Sequence, residues 1–157
     1  MTLEPLLELW VPGVPQPQGS KRIFGGRLVE GNDRTLRPYR ANIAGEARAK
    51  FGREPVRDVA LDVTLGFMFE RPRSHYGTGR NAHEIKPSAP AYKSTRPDLD
   101  KLVRAVLDSL TGIVFAEDSQ VARLSAWKDY GPAGVAIRVE IADVFAIEGL
   151  GGIPAVA

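Results

Sequence analysis

The chain has 157 residues, 43% of them apolar and 25% charged, with a net charge of +2 and no cysteine. That is enough chain for one sizeable core, and it excludes disulfides, thiolate zinc sites and cysteine nucleophiles. No apolar run approaches the ~18 residues of a membrane span, and the N-terminal MTLEPLLELWVPG has acids where a secretory signal has a basic start, so cytoplasmic residence is expected.

In chain order, PLLELWVP (5–12) predicts a first strand ended by proline, and GVPQPQGSKR predicts a loop. IFGGRLVEG suits a short hairpin about Gly25 and Gly26. Ile43, Ala44, Ala47 and Phe51 have helical spacing, which predicts a helix over 38–51 with Pro38 near its start. In LDVTLGFMF, Leu61, Val63, Leu65, Phe67 and Phe69 alternate with Asp62, Thr64, Gly66 and Met68. A period of two is a strand with one face in the core. Segment 70–97 has no periodicity and carries Arg71, Arg73, Arg80, Lys86, Lys93 and Arg96. A loop of that length in an ordered domain is expected to be functional or mobile.

Next, Leu99, Leu102, Val103, Val106, Leu107 and Leu110 fall at i, i+3, i+4, i+7, i+8 and i+11, the stripe of a core-facing helix. Its other face offers Asp100–Arg104 and Arg104–Asp108 as i,i+4 ion pairs, and Gly112 supplies the stop. IVF is a short apolar piece, AEDSQ a turn and VARLSAWKDY a strand. GPAG turns the chain into VAIRVEIADV, where Val135, Ile137, Val139 and Ile141 alternate with polar or small residues, so these last two strands are expected to pair as a hairpin. The fold class expected is α/β (α+β): one small domain over 1–145, with a mixed sheet of about four to five strands and two main helices on it. Residues 146–157 are expected to form a flexible tail.

Charge is uneven. Residues 16–50 hold eight Lys or Arg against three acids, residues 71–104 the same, and the remainder is acidic. Two basic segments are the electrostatic footprint of a phosphate-rich partner; the plain alternative is arginine decorating loops. Inside the second segment, Asp98 and Asp100 stand at the helix mouth among Lys93, Arg96, Lys101 and Arg104. Capping stabilises by ~1 kcal/mol and a first-turn acid by ~0.3–1 kcal/mol, which accounts for one acid well and two adequately. Beyond the helix lie Glu117 and Asp118. If IVFAEDSQ reverses direction toward the start of the helix, three or four carboxylates converge. Such a cluster repels itself, and a hard cation relieves the repulsion. Mg²⁺ takes oxygen ligands from a few carboxylates and a substrate phosphate. The acids would then hold the metal and the surrounding bases the nucleic acid. His75 and His83 lack a metal-ligand spacing, and neither Ser20 nor Ser119 has a histidine–acid relay. Tyr39, Tyr76 and Tyr92 lie among basic residues, as aromatics that stack on bases do.

RPDLDKLVRAVLDSLTGIVFAEDSQVARLSAWKDY resembles the signature segment of the RusA family of Holliday junction resolvases, K/R-P-D-h-D-N-h-h-K-h-h-h-D-h-h-x-G, then D-D-x-Q-V, then K-x-Y, with h apolar. The matching residues are Arg96, Pro97, Asp98, Asp100, Asp108, Gly112, Asp118, Gln120, Val121, Lys128 and Tyr130, and VPGVPQPQGSKR resembles the family's Pro-rich opening. The resemblance implies a homodimeric endodeoxyribonuclease that resolves four-way DNA junctions by paired nicks, using Mg²⁺, with Mn²⁺ able to substitute, to activate water. It carries the acidic triad over to Asp98, Asp100 and Asp118, with Glu117 as a further metal ligand. Three residues depart from the pattern: Lys101 replaces asparagine, Arg104 replaces the catalytic lysine, and Glu117 replaces aspartate. Arginine keeps the charge as a planar fork, so Arg104 or Lys101 is the expected transition-state cation. Lys21, Arg22, Arg71, Arg73, Lys93 and Arg96 are the expected DNA-binding residues. The alternatives are a junction or single-strand DNA-binding protein with weak or lost cleavage, and an interaction domain with well-capped helices.

Overall fold

The strongest alternating run forms a central strand of the domain. The structure, a computed structural model, describes residues 4–19 and 21–143. Its elements are β1 (Leu7–Pro12), β2 (Lys21–Phe24), β3 (Arg27–Glu30), α1 (Asp33–Phe51), β4 (Leu61–Phe69), α2 (Leu99–Leu110), β5 (Val121–Tyr130) and β6 (Gly134–Ile141). The order in the main sheet is β1-β6-β4-β5, and β2 and β3 form a separate hairpin. This is the expected α+β layer: one mixed four-stranded sheet with two helices. The expected tail, 146–157, lies outside the described residues.

Leu61, Val63, Leu65 and Phe67 of β4 are fully buried, beside Val135, Ile137 and Val139 of β6. The helices close this face. α1 buries Leu36, Tyr39, Ile43, Ala47 and Phe51, and α2 buries Leu102, Val103, Ala105, Val106 and Leu110. Each large apolar side chain removed from water contributes ~1.5–3 kcal/mol, so this single cluster holds the layers together. On the other, uncovered face, Arg123–Asp62 and Arg138–Glu140 pair at 3.3 and 2.8 Å. Trp10 and Trp127 are half-exposed there. Their indoles lie where a Cβ on Gly134 and on Gly66 would sit.

Two expectations are corrected. β5 and β6 do not pair, because β4 lies between them, parallel to β5 and antiparallel to β6. Parallel neighbours need a long crossover, and α2 provides it. The GPAG link spans the end of β4, with Gly131 N donating to Phe69 O at 2.9 Å. Second, α1 starts at Asp33, ahead of Pro38. Pro38 is solvent-exposed, so water can serve the carbonyl its missing N–H leaves free. Segment 70–97, which has no sequence periodicity, is knit together locally. Short 3₁₀ turns form at Arg73–His75 and Gly79–Asn81, and Tyr76 bridges Ile85.

Candidate active site

α2 begins at Asp98, and the approach to it is held from two sides. Lys128 Nζ, from β5, donates to Thr95 O and Pro97 O at 2.8 and 2.9 Å. Lys93 Nζ donates to Arg96 O at 2.8 Å and Thr95 Oγ1 at 2.9 Å, and lies 4.8 Å from the centre of the Phe69 ring. The Arg96–Pro97 peptide is cis. Burial, then the charge of Lys128, pushes the Lys93 ammonium below its usual pKa.

Asp98 occupies the N-cap position, yet its side chain makes no cap hydrogen bond. Its carboxylate instead meets Lys101 Nζ at 3.0 Å. The hydrogen bond from Lys101, then the charge of Lys101, holds Asp98 below the usual carboxylate range, with Arg96 and Lys128 adding to the effect. Capping therefore leaves this acid unexplained. Asp100 and Arg104 are both exposed, and neither forms an ion pair among the described residues. The expected i,i+4 pairs through Arg104 are absent: Asp108 faces Arg40 at 4.0 Å.

The Pro-rich loop closes the other side. Gln18 N donates to Lys101 O at 2.9 Å, and Asn32 Nδ2 donates to Pro17 O at 2.6 Å. Gly19 is needed here, because a Cβ would run into Asn32 Oδ1. Between this loop and α2 lies an open cleft of about 750 Å³, lined by prolines and Phe69 and by Lys93, Arg96, Asp98 and Lys101. An apolar floor beside cations and a carboxylate suits a nucleic-acid strand with its phosphates.

The structure does not bring Asp118 to this cleft. The chain after α2 turns at the far end of the helix, where Gly112 N donates to Phe115 O at 2.7 Å and Gln120 Nε2 reaches Val56 O and Val59 O, both at 3.3 Å. Asp118 is exposed there, in the turn that opens β5. Twelve helical residues span ~18 Å, so Asp118 and Asp98 lie at opposite ends of α2. Glu117, beside it, accepts the Ser119 hydroxyl at 3.4 Å. The expected convergence of carboxylates in one chain therefore does not occur. Among the described residues no group of three or more Asp, Glu, His or Cys is arranged to hold a metal ion.

The basic candidates divide. Arg73 and Arg96 are exposed. Arg71 lies 4.2 Å above the Tyr130 ring and donates to Pro90 O at 2.7 Å, so its charge organises the long loop, as Lys93 organises the helix approach. The side chains of Lys21 and Arg22 lie outside the described part of the structure. Tyr39 is not a stacking residue: it is buried on the inner face of α1, and burial raises its pKa. Tyr76 is half-buried, and Tyr92 is exposed. Sequence reasoning gave Lys128 no role. The only signal was its place in the K-x-Y ending of β5.

The family model described as Endodeoxyribonuclease RusA matches residues 12–142. The chain belongs to the RusA family. Comparison with curated proteins gave no match. The RusA match runs from the end of β1 past the end of β6, and so includes the cleft, α2, β4 and β5. The chain is thus an endodeoxyribonuclease of a family that acts on Holliday junctions. No helix among the described residues is long and apolar enough to cross a membrane.

Proposed function

We propose that this RusA-family enzyme resolves four-way DNA junctions in the cytoplasm by paired nicks in a Mg²⁺-dependent reaction. The observation that carries the reading is an N-cap aspartate that does not cap. Asp98 leaves the backbone N–H groups of its own helix unserved and faces Lys101 in a cation-lined cleft, with Asp100 unpaired beside it. Two exposed carboxylates next to a phosphate-binding surface suit a hard cation that keeps much of its hydration shell. When bound, Mg²⁺, or Mn²⁺ in its stead, supplies Lewis acidity to phosphodiester hydrolysis. Lys101 and Arg104 offset the negative charge that grows on the phosphate. Arg73 and Arg96 hold the flanking backbone, with Lys21 and Arg22 extending that contact.

The position of Asp118 supports a dimer reading. One chain cannot bring Asp118 to Asp98 without dismantling α2, whereas a two-fold pair can set the Glu117–Asp118 turn of one copy beside the Asp98–Asp100 pair of the other. Two such sites also match the two symmetric nicks of a junction. A synthetic four-way junction incubated with and without Mg²⁺ tests the function. We expect nicks in pairs with Mg²⁺ and none in Asp100→Asn. Cutting of linear duplex at the same rate, or undiminished cutting by Asp100→Asn, would reject it.

A further inference from the structure

We infer that Lys128 and Lys93 are positioning residues that fix the backbone on which Asp98 is presented. The carbonyls of Thr95, Arg96 and Pro97 are the last three before Asp98. All three accept from a lysine ammonium: Lys128 takes the first and third, and Lys93 takes the second. The two ammonium groups are anchored on the sheet. Lys128 is a β5 residue in register with Phe67, and Lys93 lies across the Phe69 ring at the end of β4. Their hydrogen-bond partners separate them from phosphate-binding cations. Both are partly buried and aimed at neutral carbonyls, whereas the neighbouring Arg96 is exposed. Hydrogen bonds from a charged donor are strong and directional. Four of them on one short loop leave the Asp98 backbone little freedom, so its carboxylate needs no cap bond to stay in position.

This rests on the reading of Asp98 as a metal ligand, and the full-length chain tests the two separately. In Lys128→Met, free of metal and DNA, amide exchange at Ser94–Arg96 and Asp98 should quicken about tenfold while the interior of α2 keeps its protection. Calorimetric titration should show Mg²⁺ bound about tenfold more weakly, with little change in junction affinity measured without metal. Lys128→Arg, which keeps charge and donors, should restore both. Parent-like exchange in Lys128→Met, or a loss confined to junction affinity, would overturn the inference; the latter would make Lys128 a phosphate contact. If Lys128→Met does not melt cooperatively, Lys93→Met carries the same expectation, and parent-like exchange there overturns it. If the parent chain binds no Mg²⁺, the metal reading fails, while exchange still decides the clamp.

Discussion

Two inactive variants should restore cutting when mixed. Asp100→Asn removes a carboxylate at one end of α2, and Asp118→Asn removes one beyond the other end. A helix of twelve residues separates them by ~18 Å, whereas carboxylates on one Mg²⁺ bring their oxygens within about 4 Å of each other. The two acids can serve one ion only across a pair of chains. Equal amounts of the variants, unfolded and refolded together, form about half mixed dimers if pairing is random. Each mixed dimer then has one site with both defects and one site intact. About a quarter of the parent's sites therefore return, and a mixed dimer makes a single nick where the parent makes two. A fluorescently labelled junction on a denaturing gel reads the nick, and a native gel reads full resolution. We expect nicking to recover toward that quarter while resolution stays low. If tagged pull-down shows that mixed dimers have formed and they nick no better than either variant alone, the crossed site is refuted. Parental cutting by Asp118→Asn alone would remove Asp118 from the site altogether.

Removing the Lys101 ammonium should raise the Asp98 pKa, because the Lys101 hydrogen bond is the first cause of its depression. A depressed carboxylate contributes stability that is present above its ordinary pKa and lost as pH falls through the depressed value. In Lys101→Met that contribution should shrink, and the Asp98 carboxyl should take up its proton at higher pH than in the parent, read from its carboxyl carbon by NMR titration; an unmoved midpoint would refute the pairing. Gly66→Ala should destabilise by ~1–3 kcal/mol in urea unfolding, since the new methyl would stand 2.8 Å from Trp127 Cζ2; an unchanged midpoint would mean that the ring swings aside freely. Arg104→Lys should keep or improve nicking and Arg104→Ala should reduce it with modest loss of binding, measured on the same junction, because the unpaired cation at this position acts by charge; parental nicking by Arg104→Ala would remove it from the site.

Sequence reading succeeded where a period was strong. β4 and α2 each carry an uninterrupted apolar alternation or stripe, and both lie within the expected bounds. The end of α1 at Phe51 also matches the expected bound, and Gly52 beyond it adopts a left-handed φ of 62°. Its start was hidden because proline reads as a boundary, although Leu36 and Tyr39 continue the buried stripe through it. The pairing of β5 with β6 was misread because a Gly-Pro link between two strands looks like a hairpin turn. Which neighbour a strand takes is decided by crossovers, and local pattern does not record them. The acids fared likewise. Residue types and spacing pointed to Asp98 and Asp100, but the direction in which IVFAEDSQ leaves the helix depends on long-range bonds from Gln120 to Val56 and Val59. Lys128 stayed silent because its partners are main-chain carbonyls, which no side-chain pattern reveals.

The uncovered sheet face has a practical consequence. The chain has two tryptophans, and both lie on that face, at 45% and 46% exposure, with their rings against glycine. The cleft opens on the helix side. Intrinsic fluorescence thus watches the sheet face opposite the cleft. Emission that shifts when Mg²⁺ or a junction is added would register a rearrangement carried through the sheet. Emission that stays constant while Mg²⁺ or a junction is titrated would register a cleft working behind an undisturbed sheet. The molecule thus comes with its own optical probe for the state of its sheet, without any label.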